Sequence, residues 1–311
     1  MIKDDLKTFV LNNANLVTAK QSSTYPNLRV LKYKHKVFYD ALWNEYLEEC
    51  RGTVIDSEFN VVTRPFTKIY NWGIEERAPV LAPDTPITAY RKVNGFMVAV
   101  SLYEGELLIS TTGSLDSDFV GLAREMMLKH QSLDGWKAAL ANPNYANMTF
   151  MFECVHPNDP HIIEEKAGMY LIGWRATAWD SIVQGYGVDV ATAWQKFARN
   201  HLRCFEPEVI YTTVGELAEL ANTVTHEGFV AYTEDGQSFK IKSPYYLFNK
   251  FIARKAGSKL INILQNKSYM QTVDEEFYPL CEYLCENIQA VADMSEQQRL
   301  AYIREYIYNT K

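Results

Sequence analysis

The sequence lacks an apolar run long enough to span a membrane, and Met1–Asp5 lack the pattern of a signal peptide. We therefore expect a cytoplasmic protein without a membrane partner. The five cysteines are odd in number and scattered, which favours a reducing compartment over a disulfide framework. Cys281 and Cys285 lie one helical turn apart, but no second Cys/His pair at metal-binding spacing follows them.

Positive charge is also not in excess. Lysine and arginine total 31 against 38 acidic residues, so the net charge is −7. This balance argues against a generally basic nucleic-acid coat, although a local group of cations can still bind phosphates. A hydrophobic content of 47% and a charged content of 22% are typical of globular proteins. A length of 311 residues suits one large domain and a small one.

Alternating or continuous apolar residues predict β-strands over much of the chain. The turn signals Asp56-Ser57-Glu58, Glu104-Gly105-Glu106 and Glu234-Asp235-Gly236 predict hairpins. The predicted strands lie within residues 28–34, 49–56, 96–103, 107–111, 149–155, 169–175, 226–232 and 238–243.

Helical periodicity is found between the strands and throughout the last part of the chain. We predict a helix over 119–127 with Asp116 as its N-cap, a helix around 188–202, and a helix over 213–222 capped by Thr213. From Tyr245 onward only amphipathic helices are indicated. We therefore predict two domains, residues 1–245 and residues 246–311.

The segment Arg91–Gly95 has the pattern Lys-x-x-Gly and precedes the apolar run Phe96–Val100. A lysine at the mouth of a strand, followed by a glycine that lets a ligand approach the backbone, is a candidate nucleophile. The pattern alone is unspecific, because it occurs by chance roughly once in a chain of this size.

Two apolar strands each carry a residue with two interpretations. Glu153 interrupts the strand 149–155, and burying an unpaired carboxylate is costly. It therefore either has a structural partner or faces a ligand-binding cleft. Trp174 ends the strand 169–175, where it either stacks on a base or completes the core.

Several cations are candidate phosphate ligands. Arg51 precedes Gly52, and its guanidinium is placed to reach a phosphate or ribose, although a solvated surface arginine is the simpler interpretation. The same two interpretations apply to Lys68. Lys240 and Lys242 share one face of a strand and repel each other unless an anion lies between them. A solvated edge that discourages aggregation is the alternative.

In this order along the chain, these segments resemble the motifs of covalent nucleotidyltransferases, the superfamily of ATP-dependent ligases and mRNA capping enzymes. The flanking segments resemble the bacteriophage RNA ligase 1 family in particular, and the similarity spans about residues 45–250. The superfamily motifs are Lys92-x-x-Gly95, Phe152-Glu153, Glu227-Gly228-Phe229-Val230 and Phe239-Lys240-Ile241-Lys242. The flanking segments are Glu49-Cys50-Arg51-Gly52, Arg64-Pro65-x-x-Lys68 and the Asn after Pro157.

The resemblance implies an α+β fold: an ATP-grasp-like nucleotidyltransferase domain of antiparallel sheets with flanking helices, followed by a small all-α domain. It implies ATP and Mg²⁺, with Mn²⁺ as the alternative metal. Lys92 would be the adenylylated nucleophile, assisted in catalysis by Lys240 and Lys242, and Glu227 would bind the metal. The implied nucleotide contacts are Arg51, Lys68, Arg91, Gly95, Glu153, Trp174, Glu227, Lys240 and Lys242.

The resemblance further implies an ATP-dependent RNA ligase that joins 5′-phosphate and 3′-hydroxyl RNA ends through a lysyl-AMP intermediate and an adenylylated RNA 5′ end. The implied partners are ATP and RNA, with tRNA as one candidate. We expect a monomer, located in the host cytoplasm if the chain is viral. A capping-type guanylyltransferase and a catalytically inactive RNA-binding protein of the same fold are the alternatives.

One position departs from the family pattern. In the segment Ser110–Ser114, the family commonly carries a basic residue before the Gly-Ser pair, and this chain has Thr112 there. The substitution puts one phosphate contact in doubt, either to the 5′-phosphate or to pyrophosphate, but not the lysine chemistry.

Overall fold

The computed structural model describes residues 3–143, 145–159, 161–179, 184–185, 197–255 and 258–309. The chain forms two compact units, each built from two segments. The first comprises Met1–Lys68 and Val93–Glu208, and the second comprises Ile69–Lys92 and Val209–Lys311. The sequence-based boundary after residue 245 marks where the strand patterns end and does not coincide with this division. As a division into functional domains it stays a prediction.

The first unit contains two antiparallel sheets. The four-stranded sheet has the order β1-β2-β3-β4 and consists of β1 (Val17–Gln21), β2 (Arg29–Tyr33), β3 (Arg51–Ile55) and β4 (Val61–Thr63). The five-stranded sheet has the order β11-β10-β9-β7-β8 and consists of β7 (Phe96–Tyr103), β8 (Glu106–Thr111), β9 (Met148–Val155), β10 (Gly168–Ala176) and β11 (Gln184–Gly185). These strands confirm the predicted ones in this unit.

The hairpin β7–β8 shows why the strand prediction succeeded. Glu104 and Gly105 both have positive φ, 50° and 78°, the geometry of a two-residue turn whose twist matches that of the flanking strands.

β9 lies between β7 and β10, and its Phe150 and Phe152 are fully buried in the main core of the unit. A strand buried on both faces requires a continuous apolar run, which is what its sequence has.

Five α-helices are described in the first unit: α1 (Lys3–Asn12), α2 (Lys36–Tyr39), α3 (Glu45–Glu49), α4 (Asp118–His130) and α5 (Leu133–Leu140). The helix predicted over 119–127 is confirmed as α4. Most of the helix predicted around 188–202 lies outside the described residues, and its end, Ala198–Leu202, is a π-helical turn.

The predicted capping role of Asp116 is wrong. The residue that precedes α4 is Ser117, so Asp116 stands one position too early to cap the helix. Its carboxylate instead accepts hydrogen bonds from the Ser22 hydroxyl (2.8 Å) and from the backbone N–H groups of Ser23 and Thr24 (both 3.1 Å). Asp116 therefore fastens the β1–β2 connection to the segment after β8.

The second unit contains one five-stranded sheet with the order β12-β6-β13-β14-β5. It is antiparallel except where β14 pairs with β5. The strands are β5 (Tyr70–Asn71), β6 (Pro86–Arg91), β12 (Val209–Thr213), β13 (Gly228–Thr233) and β14 (Ser238–Lys242). The predicted hairpin β13–β14 is confirmed.

Helices account for the rest of the described second unit. They are α6 (Val214–Ala221), α7 (Pro244–Lys255), α8 (Ser258–Gln265), α9 (Tyr269–Thr272), α10 (Tyr278–Glu286), α11 (Ile288–Asp293) and α12 (Glu296–Asn309), with a 3₁₀ turn at Glu275–Phe277. Thr213 caps α6 in a capping box with Glu216, as predicted. No helix among the described residues is long and apolar enough to cross a membrane.

Side-chain alternation decides which face of the hairpin β13–β14 is buried. Phe229, Ala231, Phe239 and Ile241 belong to one hydrophobic cluster together with Leu217 of α6. Because strand side chains alternate, the residues between them on β14 face the other way. This arrangement places the two lysines of β14 on the opposite face from this cluster.

Candidate active site

Lys92 and Glu227 form an ion pair in the second unit. Lys92 follows β6 directly, and its backbone N–H donates to the Gly228 carbonyl at 2.8 Å, which extends the pairing of β6 with β13. The Lys92 Nζ lies 3.0 Å from the Glu227 Oε2. The Glu227 side chain is 4% exposed and that of Lys92 is 23% exposed, so the lysine is the accessible member of the pair.

The lysines of β14 have carboxylate partners from the C-terminal helical segment. The Lys242 Nζ lies 2.5 Å from Glu276 and 4.0 Å from Glu227. Lys250 of α7 donates to the same Glu276 oxygen at 2.7 Å. The Lys240 Nζ lies 3.8 Å from Glu275. Buried carboxylates therefore lie beside the two lysines and offset their mutual repulsion, and phosphate binding by the lysines stays a prediction.

The charges of this group shift one another's pKa values. Burial lowers the pKa of Lys240 to about 8, helped by the nearby charge of Lys242. Burial also acts to lower the pKa of Lys242, but Glu276 and Glu227 outweigh it and raise that pKa. Burial raises the pKa of Glu276, yet Lys242 and Lys250 outweigh it and hold that pKa well below its ordinary value. Lys242 and Glu276 are thus both charged at neutral pH.

Gly228 separates Glu227 from the hairpin and has no room for a side chain. Its φ is +127°, and a Cβ at this position would lie 2.1 Å from the Ile241 carbonyl oxygen. Only glycine accepts both conditions without strain. The glycine of the Glu-Gly pair therefore has a structural cause that is independent of any ligand.

A cavity of about 560 Å³ in the second unit reaches the same lysines. Its walls include Lys240, Lys242 and Glu276, and the remaining wall residues are largely apolar. Lys92 and Glu227 are not among them, so the cavity reaches the lysines of β14 but not the Lys92–Glu227 pair.

In the first unit, Glu153 and Gly95 are brought together. The Gly95 N–H donates to the Glu153 Oε1 at 3.2 Å, so the carboxylate in the apolar strand has the structural partner that one of its two interpretations requires. A Cβ on Gly95 would lie 2.3 Å from the Cys154 carbonyl oxygen. The glycine in Lys-x-x-Gly is therefore necessary for the approach of β7 to β9, whatever binds there.

Lys68 is buried against aromatic rings, which the sequence interpretation did not anticipate. Its Nζ lies 4.5 Å from the ring centre of Phe38 and 4.3 Å from that of Trp43, distances typical of cation–π contacts. These rings and Tyr33 pack edge to face. A basic residue 25 positions after Trp43 carries no local signal for such a contact.

Glu49 and Arg64, two residues of the recognised flanking segments, have a structural role together with Arg175. The Glu49 carboxylate accepts from the Arg175 Nη2 at 2.6 Å and from the Arg64 Nη2 at 2.9 Å. Burial raises the pKa of Glu49, but the two guanidiniums outweigh it and lower that pKa. The three residues form a buried ionic network that links α3, the segment after β4, and β10.

The remaining predicted contacts differ in accessibility. Arg51 at the start of β3 is partly exposed, whereas Trp174 is 7% exposed and belongs to the main core of the first unit. Burial in this core favours the packing role of Trp174 over base stacking. Arg91 ends β6 opposite Phe229. The second unit thus brings together Lys92, Glu227, Lys240 and Lys242, while the first unit holds Arg51, Lys68, Gly95 and Glu153.

The side chains of the second unit fit the two ligands that the resemblance implies, a divalent metal ion and the phosphates of ATP. Within the described residues, no group of three or more His, Cys, Asp or Glu side chains is arranged to hold a metal. Mg²⁺ is commonly bound by one or two carboxylates together with substrate phosphates, and Glu227 offers one such carboxylate. The ammonium groups of Lys240 and Lys242 suit phosphate oxygens.

The family profile described as RNA ligase matches residues 49–246, which is more than half of the chain. This chain belongs to the RNA ligase family. The match covers each motif residue of both units from Glu49 to Lys242, including the Glu49–Arg64–Arg175 network. The bacteriophage branch of the family is a finer assignment that the profile does not make.

Solved structures similar to this RNA ligase family member share its fold. Two forms of an archaeal ATP-dependent RNA ligase match with TM-scores of 0.55 and 0.58, at 16% and 14% identity. The matches cover 99% and 98% of this chain and 76% of each of those chains. A protein from Aquifex aeolicus, described as an ATP-dependent DNA ligase, matches at 0.56 with 14% identity over 99% of this chain and 77% of its own. The predicted α+β ligase fold with antiparallel sheets is confirmed.

Proposed function

We propose that the protein is an ATP-dependent RNA ligase of the bacteriophage RNA ligase 1 type, with Lys92 as its adenylylated nucleophile. The observation that carries the proposal is the position of Lys92: a partly exposed lysine at the end of β6, 3.0 Å from a buried glutamate. A lysine serves as a nucleophile only as the neutral amine. The family match supports the reaction class.

In the first step, the Lys92 nitrogen attacks the α-phosphorus of ATP. A P–N bond forms, the P–O bond to pyrophosphate breaks, and pyrophosphate leaves with the electron pair. Before this attack Lys92 must lose a proton, and Glu227 at 3.0 Å favours the protonated form as long as the two remain paired. Engagement of Glu227 by Mg²⁺, or by Mn²⁺, would weaken this pairing and supply positive charge to the phosphates.

We propose that the other residues implied by the resemblance bind and orient the substrate. We propose that Lys240 and Lys242 neutralise negative charge on the phosphates, a contribution that grows as charge spreads in the transition state. Arg91 pairs with Phe229 of the buried cluster and so lies on the other face of the sheet; its role as a nucleotide contact rests on the resemblance alone. Arg51 and Lys68 are the proposed phosphate or ribose contacts. Gly95 and Glu153 are proposed to lie against the ribose, and Trp174 contributes by holding the core.

The second and third steps complete the joining of RNA ends. An oxygen of the RNA 5′-phosphate attacks the lysyl-AMP phosphorus, which breaks the P–N bond and transfers AMP. The 3′-hydroxyl of the other end then attacks the 5′-phosphorus and expels AMP, which forms the phosphodiester. We propose that the chain acts as a monomer in the cytoplasm, that of the host if the chain is viral, with tRNA as one candidate substrate.

The test is covalent labelling with α-labelled ATP and Mg²⁺. We expect label on the wild-type protein, none on Lys92→Ala, and wild-type labelling on Lys129→Ala, a control on the exposed end of α4. Label that persists in Lys92→Ala would refute the assignment of the nucleophile. Labelling by GTP instead of ATP would indicate a guanylyltransferase, and binding of RNA without labelling by any nucleotide would indicate an inactive relative.

A further inference from the structure

Three cations of the first unit lie on one face of the sheet β1–β3. Lys32 on β2 pairs with Arg51 on β3 at a register shift of the β2–β3 ladder. Thr18 of β1 is opposite Lys32, and Lys20, two residues further along β1, shares that face. Paired residues of neighbouring strands lie close together, so like charges there repel each other.

Neither member of the opposed pair is neutralised by a residue that the structure describes. The Lys32 ammonium and the Arg51 guanidinium make no hydrogen bond or ion pair with any residue that the structure describes. Lys32 is exposed and Arg51 is partly exposed. Two unpaired cations held opposite each other favour an anion between them.

The turn after β8 brings polar groups to the same cations. The Lys20 Nζ donates to the Ser114 hydroxyl at 3.2 Å. A Cβ on Gly113 would lie 3.1 Å from the Lys32 Nζ, so the ammonium of Lys32 lies against the backbone of the turn. A larger residue at position 113 would displace it.

Two further contacts fix the turn against the sheet. A Cβ on Gly52, the neighbour of Arg51, would lie 2.9 Å from the Thr112 Cα, so β3 and the turn are in close backbone contact. On the other side, Asp116 is hydrogen-bonded to Ser22 and to the residues that follow it. These hydrogen bonds occupy the Asp116 carboxylate and hold its pKa, which burial alone would raise, at about 2.

We propose that Lys20, Lys32 and Arg51, together with the Gly113–Ser114 turn, form a binding site for a phosphoryl group. Lys32 supplies from a neighbouring strand the positive charge that Thr112 does not supply from the turn itself. Lysine, arginine and serine side chains beside a glycine are suited to phosphate oxygens. The inference rests on the proposed ligase function for its two candidate sources of that group, the RNA 5′-phosphate and pyrophosphate.

Binding to the full-length protein without ATP or metal tests the site directly. One arm measures the fluorescence anisotropy of a labelled RNA oligonucleotide with a 5′-phosphate against the same oligonucleotide with a 5′-hydroxyl. The other arm measures inorganic pyrophosphate by titration calorimetry. We expect Lys32→Ala to weaken one of these affinities about tenfold, the size expected for a hydrogen bond between charged groups, and Lys129→Ala to leave both unchanged.

The arm that changes identifies the source of the phosphoryl group. A loss of preference for the 5′-phosphorylated RNA indicates the RNA end, and a loss of pyrophosphate affinity indicates the leaving group. Equal affinities of Lys32→Ala and Lys129→Ala in both arms would overturn the site. Because no turnover is needed, a failure of the Lys92 labelling test would remove the ligase function and leave this result standing.

A second variant tests whether Lys32 takes the place of a cation at position 112. In the double variant Lys32→Ala with Thr112→Lys, the cation returns on the turn, and we expect the lost affinity to recover towards that of the wild type. A double variant as weak as Lys32→Ala would contradict the idea that Lys32 takes the place of a cation at position 112. Lys32 is an exposed residue of β2, so its truncation leaves the core unchanged.

Discussion

Lys242 and Glu276 form a buried ion pair with 2.5 Å between Nζ and Oε1, although 34 residues separate them in the sequence. Lys250 shares the same carboxylate. Within the second unit, the C-terminal helical segment therefore provides the anion for a lysine that we propose binds phosphate. If the proposal holds, Glu276 and a phosphate oxygen compete for the same ammonium group.

This competition predicts the effect of Glu276→Gln on ATP affinity. Removal of the carboxylate leaves Lys242 and Lys250 without their shared partner, so we expect ATP to bind roughly tenfold more tightly, the contribution of one hydrogen bond to a charged group. The same change leaves the buried ammonium groups of Lys242 and Lys250 without the negative charge that they share, so their repulsion is no longer offset. We expect this to cost about 3–5 kcal/mol of folding stability. Calorimetric titration with ATP and thermal denaturation measure the two effects.

The control for Glu276→Gln is Glu282→Gln, which removes the same charge from an exposed position of α10. We expect it to change neither quantity appreciably. If a folded Glu276→Gln protein bound ATP no more tightly than this control, Glu276 would not compete with the nucleotide.

We expect the proposed nucleotide binding to depend on pH through Lys240. Its pKa lies at about 8, so above that pH its ammonium loses its proton, whereas a bound phosphate favours the protonated form. We expect the dissociation constant of AMP to rise as pH increases beyond 8, by at most about tenfold per pH unit for a single proton. Glu275, Glu276 and Glu75 oppose the shift and Lys242 adds to it.

Lys240→Arg is the variant that isolates this effect, because a guanidinium stays charged throughout the range. We expect its AMP affinity to be flat between pH 7.5 and 9.5, a range of about two units around the Lys240 pKa. A wild-type profile as flat as that of Lys240→Arg would show that Lys240 does not titrate on nucleotide binding.

Glu49→Gln is expected to destabilise the first unit. The variant leaves the buried guanidiniums of Arg64 and Arg175 without a counter-charge, which costs about 3–5 kcal/mol. The pKa of Glu49 is lower in the folded protein than its unfolded value near 4.5. The ionised carboxylate therefore contributes fully to folding stability above the unfolded pKa, and this contribution is lost as the pH falls through the folded pKa. Urea denaturation at pH 7 and at progressively lower pH measures both effects. A stability difference between wild type and variant that does not shrink on acidification would contradict this origin.

Gly95→Ala and Gly121→Ala should have opposite effects. The added methyl of Gly95→Ala meets the Cys154 carbonyl oxygen and must displace β7 from β9, which costs about 1–3 kcal/mol. At Gly121 in α4 nothing lies within 4 Å of the added atom, so alanine stabilises the helix by about 0.5–1 kcal/mol. Thermal denaturation without nucleotide compares them. A Gly95→Ala protein as stable as wild type would leave ligand approach as the only reason for this glycine.

Much of the fold could be predicted because its signals are local. The alternation in β13–β14, the turn at Glu234–Gly236 and the capping box at Thr213 each depend on residues within a few positions of one another. The capping role of Asp116 was wrong for the complementary reason. Its carboxylate binds three donors between Ser22 and Thr24, more than 90 residues away. The residue that precedes the helix is Ser117 instead.

The sequence by itself determined the family, the order of the motifs, the candidate nucleophile Lys92 and the strands that present them, because spacing and periodicity are properties of the chain. Only the tertiary structure decided which charges are partnered. It paired Lys242 with Glu276 and placed Lys68 against aromatic rings, and it left Lys32 and Arg51 opposite each other. Such partners are distant in sequence, and electrostatic interactions depend on the separation of the groups in space.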